Sequence, residues 1–160
     1  MNTARRYGRF VLLAFVILPA CGCDLFLQDV LPRDTSAMER RVFDMVNAER
    51  TNAGLDALIW NDDIAAEARG HSRDMADGTV PFGHDGFSDR FHRISQIIPA
   101  WAGGENVAYA PDEDLAVSMW MDSPGHKANI LGNYDYTGVG VAWSESLGVY
   151  YFTQDFILAR

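Results

Sequence analysis

The residues of this sequence best placed for chemistry are His84, Glu105 and His126, with His71 and His92 as the other imidazoles. His84 stands in "TVPFGHDGF", a glycine-bracketed stretch with no hydrophobic period. An imidazole has no packing duty there, and loops on a rigid scaffold commonly carry function. Glu105 follows two glycines in "WAGGENVAYA". Apolar segments on both sides imply partial burial, and a buried carboxylate needs partners, of which imidazoles and backbone amides are the obvious ones. His126 lies in "WMDSPGHKANIL", where one helix ends and another begins. It has two readings: a residue at a helix start whose ring anchors loop backbone, or a cleft residue facing His84 and Glu105. His71 falls on the apolar face of a helical segment and reads as a hydrogen-bonded core histidine. His92 lies on a helix flank and reads as solvated.

Two imidazoles and a carboxylate are a donor set for zinc or a similar divalent ion. With only His84, Glu105 and His126 as ligands, such a site is open, with water at the fourth position, or recruits Asp85 or another acid. The three follow one another at intervals of 21 residues, which match no short metal signature. Hydrolysis is the other chemistry open to them, with Glu105 as base or a bound metal activating water. Other catalytic templates are missing: there is no G-x-S-x-G elbow, no H-E-x-x-H pair and no G-x-x-x-x-G-K-[ST] loop. Ser123 is explained as a helix cap, and Cys23 lies too near the N-terminus for a Cys–His nucleophile.

The elements that must position these groups are legible from period and punctuation. Ser36 and Glu39 fit a capping box for a first helix, with Met38, Val42, Met45 and Val46 on one face and Gly54 as its stop. A second helix is expected over about residues 62–77, its face built from Ile64, Ala68, His71, Ser72 and Met75. A short helix capped by Ser88 follows. "AGGENVAYA" reads as a loop feeding a short strand. Asp112 opens a third main helix, with Leu115, Ala116, Met119 and Trp120 toward the core, and Ser123 with Pro124 starts a further turn. Two strand-like runs around "SESLG" form a hairpin. Gly138 and Gly140 inside the first run imply close backbone approach. Helices first and hairpin last, with one earlier strand, argue for an α+β fold.

The N-terminus is a targeting segment. Arg5, Arg6 and Arg9 precede the apolar run "FVLLAFVILPA", which suits a signal peptide over residues 1–20. Ala20 before Cys21 resembles a bacterial lipobox, which makes Cys21 the lipidated residue of a membrane-anchored lipoprotein; ordinary secretion is the alternative. Residues 21–35 form the lipidated N-terminus and tether, whose apolar positions between 25 and 31 are expected to pack on the domain, and residues 36–160 form one domain. The leader holds three of the thirteen basic residues and none of the twenty-two acids, so the remainder carries a formal charge of −12. No clustered Lys/Arg footprint for nucleic acid is present, and the acidic surface fits an extracytoplasmic protein, expected to be a monomer. With Cys21 lipidated only Cys23 is left, so the domain holds without internal disulfides.

Taken in order, "VNAERTNAGLDALIWNDDIAAEARGHSRDMA", "FGHDGFSDR", "GGENVAYA", "WMDSPGHKANIL", "YTGVGVAW" and "YYFTQDF" resemble the bacterial branch of the CAP superfamily, the SCP-like domains of cysteine-rich secretory, antigen five and pathogenesis-related proteins. The likeness covers about residues 38–157. It implies an α-β-α sandwich, with helices on both faces of a small antiparallel sheet, and a surface cleft lined by His and Glu. By motif, His84 matches the cleft histidine and Glu105 the glutamate of "GEN". The eukaryotic pattern has a second Glu just after the tryptophan of the third helix, where this chain reads "MDSPGH" after Trp120. Its second histidine is also missing, and Tyr134 and Asp135 stand in that region. The resemblance further implies a small apolar ligand, sterol- or lipid-like, or a cell-envelope protein partner, with Trp101, Tyr109, Trp143, Tyr150 and Tyr151 as aromatic surface candidates. A hydrolase, protease-like and using the His/Glu cleft, is the alternative.

Overall fold

The computed structural model describes residues 33–160. The expected signal peptide, Cys21, Cys23 and the apolar positions 25–31 of the expected tether lie outside the described residues. Five helices and four strands follow: α1 (Thr35–Asn52), β1 (Ile59–Trp60), α2 (Asp62–Ala76), α3 (Phe87–Ile97), β2 (Ala100–Ala110), α4 (Glu113–Asp122), α5 (Pro124–Ile130), β3 (Tyr136–Ser144) and β4 (Val149–Ala159). The sheet order is β1-β3-β4-β2. β4 pairs antiparallel with both β3 and β2, whereas β1 joins β3 in parallel. The sheet is therefore mixed where an antiparallel one was expected, because the two-residue β1 enters from the α1–α2 connection and runs alongside the start of β3.

Side chains alternate across β4. Tyr150, Phe152 and Phe156 meet a first helical layer of α1, α4 and α5, contributing Val42, Val46, Val117, Trp120 and Ile130. The opposite face meets α2 and α3: Ile157 packs with Ile64 and Ile94, and Tyr151 with Met75. The result is the α-β-α sandwich, in which each fully buried aliphatic side chain stabilises by about 1.5–3 kcal/mol. The second layer lies unusually close. A Cβ on Gly138 would stand 2.1 Å from the Ala65 nitrogen, and one on Gly140 2.1 Å from the Arg69 nitrogen. Glycine at both positions lets the backbone of α2 rest directly on β3.

Several local expectations are revised by tertiary contacts. α1 is capped by Asp34, whose carboxylate accepts from the Ser36 amide at 2.9 Å. Glu39 is not part of a capping box. It is buried, receives a bidentate Arg69 from α2 and accepts from the Val141 amide of β3, tying two helices to the sheet. α3 starts at Gly86, whose left-handed backbone (φ 74°) makes the turn with no side-chain cap from Ser88. Ser123 stands at the N-cap of α5 but its hydroxyl makes no capping bond. The segment expected as a loop with a short strand is the eleven-residue β2, because β4 offers a full-length partner. Leu115 and Met119 are exposed on α4, and Ala116, Val117 and Trp120 face the core. Of the aromatic surface candidates, Trp101 and Tyr109 are exposed, whereas Tyr150 and Tyr151 are buried.

Candidate functional site

Glu105 is the centre of the site. It sits on β2, the edge strand, and faces the α2–α3 layer. The two glycines before it let bulky rings close in from both sides: a Cβ on Gly103 would meet the Phe91 ring at 2.6 Å, and one on Gly104 the Tyr134 hydroxyl at 2.6 Å. Its side chain is 2% exposed. The carboxylate nevertheless has charged partners. Arg90 of α3 donates to Oε2 through Nε at 3.1 Å and Nη2 at 2.5 Å. His84 meets Oε1 through Nδ1 at 2.8 Å. Because an ionised carboxylate only accepts, Nδ1 carries the proton. That leaves Nε2 as the outward nitrogen of a ring whose side chain is 53% exposed.

The loop that carries His84 is tied on either side of it. His71, buried on α2, bonds the Gly83 carbonyl through Nε2 at 2.8 Å. Burial lowers the pKa of His71, with the nearby Arg90 charge acting in the same direction. The neutral Nε2–H is thus the donor. On the other side, Nη1 of Arg90 donates to the Asp85 carbonyl at 2.8 Å. The same guanidinium therefore holds both the Glu105 carboxylate and the loop of the histidine that the carboxylate orients.

His126 approaches from the opposite face of the sheet. Asn106, next to Glu105, donates to the His126 carbonyl at 3.1 Å. Asn129 donates to the Glu105 carbonyl and to Asn106 Oδ1 at 3.0 and 2.9 Å, so α5 is buttoned to the edge of β2. The anchoring group at residue 126 is the backbone carbonyl, not the ring. The half-buried ring has a lowered pKa, from burial first and then from the charge of His84. The main chain of residue 126 thus anchors the turn, whereas its ring is close enough to His84 to feel its charge. Among the described residues no hydrogen bond joins the His126 ring to His84 or Glu105.

Beyond His126 lies a groove of about 310 Å³ lined by Phe82, Val107, Tyr109, Met119, Trp120 and Ser123. Phe82 and Tyr109 form its aromatic wall, edge to face with centroids 5.0 Å apart. Phe82 is two residues from His84, so groove and cleft share a rim.

As arranged, these side chains do not fit a divalent cation. Arg90 places a fixed positive charge on one Glu105 oxygen, and His84 occupies the other. Among the described residues, no three His, Cys, Asp or Glu side chains are grouped so that they could hold a metal ion. Asp85 reaches the centre only through its carbonyl. His92 stays outside this network, on the flank of α3.

Two members of the centre were not foreseen in the sequence: Arg90 and Asp155. Arg90 stands four residues before the buried Ile94, on the same face of α3, which was the available signal. Asp155 is the one acid inside the apolar run of β4 and lies directly opposite Glu105 in the ladder.

Residues 43–156 match the model of the CAP family, the cysteine-rich secretory protein family. This chain belongs to the CAP family. It is 36% identical over 132 residues to the uncharacterized protein YkwD of Bacillus subtilis, an alignment covering 79% of this chain and 49% of YkwD. An extracellular SCP-domain protein of Bacillus anthracis superposes with a TM-score of 0.63 at 30% identity, over 80% of this chain and 45% of that one. An outer surface protein of Borrelia burgdorferi superposes with a TM-score of 0.69, over 80% of this chain and 97% of that one. At 17% identity the likeness is one of fold alone. This CAP chain spans about half the length of YkwD and of the B. anthracis protein.

Proposed function

We propose that this CAP protein works outside the cytoplasm, anchored by a lipid on Cys21, and binds a small apolar, lipid-like ligand in the groove beside the His84–Glu105 cleft. The observation that carries the reading is the groove itself: it is lined by the Phe82–Tyr109 aromatic pair and by Val107, Met119 and Trp120, with Ser123 and His126 as its few other polar side chains. Apolar pockets with a few placed polar groups are the usual architecture of small-molecule sites. The location is supported by the extracellular B. anthracis relative, at 30% identity, and by the leader. No described helix is long and apolar enough to cross a membrane. The exposed groove would serve a cell-envelope protein partner in the same way, through the Phe82–Tyr109 wall.

Titration with a fluorescent single-chain fatty acid tests the reading. Saturable binding is expected in the wild type, with at least a tenfold loss in Tyr109→Ser and Phe82→Ser. Equal binding by these folded variants would rule the groove out. For the anchor, Cys21→Ser should move the protein from the detergent phase to the aqueous phase. One observation favours the hydrolase reading: the buried carboxylate fixes His84 with Nε2 outward, the geometry of a general base acting on water. Turnover of ester or peptide substrates, abolished by His84→Gln, would put that reading first.

A further inference from the structure

We infer that Asp155 and Glu105 hold one proton between them, and that the neutral acid at Asp155 positions the Glu105 carboxylate beneath His84. The observation is a fully buried carboxyl, 0% exposed, whose two oxygens find no hydrogen-bond donor among the described residues. An unpaired buried carboxylate is not tolerated by a stable fold; such a group keeps its proton or finds a cation. The register of the sheet decides between these. Asp155 stands directly across from Glu105 on the same face, where cross-strand side chains touch. Two ionised carboxylates there offer only acceptors to each other. One proton turns the same contact into an O–H···O⁻ bond, which gives the Asp155 carboxyl a partner and removes the repulsion.

The charge balance of the surroundings agrees. From α3, Arg90 is the cation of the centre, and both its bonds to a carboxylate go to Glu105. From α2, Glu67 is nearby, but it is paired with Arg93 of α3 at 2.6 Å. His71, also on α2, is neutral and donates to Gly83. From β3, the residue opposite Asp155 is Gly138, which brings no side chain. His84 touches Glu105, not Asp155. One guanidinium therefore faces two carboxyls, and a single proton brings the buried set to zero. Burial, and after it the Glu105 charge, drive the Asp155 carboxyl toward its protonated form. A neutral acid and a guanidinium-paired carboxylate also explain why this His/Glu cleft does not fit a cation: the floor of the cleft carries no net negative charge.

The test needs no ligand. In the infrared spectrum of the purified protein at neutral pH, the C=O stretch of one protonated carboxyl is expected, and it should vanish in both Asp155→Asn and Glu105→Gln. Nitrogen-15 shifts of His84 should report the Nδ1–H tautomer in wild type and in Asp155→Asn, whose amide donates in place of the acid. They should report a mixed tautomer in Asp155→Leu, which has no donor. Zinc chloride added to the wild type should leave the acid band unchanged. A wild type without the band, a band that survives Asp155→Asn, or a His84 tautomer indifferent to Asp155→Leu would each overturn the inference, as would stoichiometric zinc uptake with loss of the band.

Discussion

Replacing Asp155 by Asn should change the pH dependence of stability more than stability itself. In the folded protein, burial and then the Glu105 carboxylate raise the Asp155 carboxyl well above its ordinary value of 3.8. In the unfolded chain it titrates near that ordinary value. A group with a raised folded value contributes stability that is complete below the unfolded value. That contribution is lost as pH climbs toward the folded value, because across this window the folded state keeps a proton that the unfolded chain has released. One proton corresponds to about 1.4 kcal/mol per pH unit. Because the two carboxyls interact strongly, the proton belongs to the pair, and removing one member removes the shared site.

The amide cannot titrate, so the variant lacks this slope. Near pH 4 it should be the less stable protein, by about 1–3 kcal/mol, because its second N–H has no acceptor in the buried site. As pH rises above the ordinary carboxyl value of 3.8 the difference should close, by up to about 1.4 kcal/mol per pH unit, because only the wild type must keep a proton that its unfolded chain releases. Urea unfolding of both proteins across this range, followed by tryptophan fluorescence and compared at equal m-values, measures it directly. Titrating groups outside the Asp155–Glu105 pair are common to the two chains and cancel in the difference, which therefore reports on the pair. Parallel profiles would refute the reasoning, since they would mean that Asp155 releases its proton in the folded state as readily as in the unfolded one.

The Glu105→Gln/Asp155→Asn double variant should be less stable at neutral pH than the two single variants together imply, by about 2–3 kcal/mol. Either single variant leaves Arg90 one carboxylate, and the double leaves a buried cation with none; additivity within the error of a double-mutant cycle would count against the shared centre. Gly140→Ala should cost about 3 kcal/mol or more in thermal unfolding, because its Cβ would meet the Arg69 nitrogen at 2.1 Å and backbone cannot give as a side chain can. The His126 ring should titrate below its ordinary value of 6.5, and His84→Ala should bring it part of the way back, since burial is the larger cause and the His84 charge the smaller. Proton NMR reads both, and a titration unaffected by His84→Ala would place the two rings in separate environments.

What the sequence revealed of this centre follows the range of the forces involved. His84 and Glu105 announce themselves locally: an imidazole between glycines with nothing to pack against, and a carboxylate after two glycines in an apolar setting. The helices are legible for the same reason, since hydrophobic period acts within a few residues, although of the expected side-chain caps only Asp112 makes its bond. Glu39 marks where this stops. It has the spacing of a capping box, yet a bidentate Arg69 thirty residues away and the Val141 amide take its carboxylate instead. Arg90, whose local signal is only its place one turn before Ile94, and Asp155 take their roles from contacts at longer range still. Their roles exist only because β2 pairs with β4 in one register, placing 105 opposite 155. A slip of one residue would turn Asp155 to the other face, toward Trp120, and set Gln154 or Phe156 opposite Glu105. The long β2 and the close rest of α2 on Gly138 and Gly140 are what exclude that slip. The chemistry of the cleft thus depends on strand register, and a strand that would read as core is also the part of the chain that sets the protonation of the site.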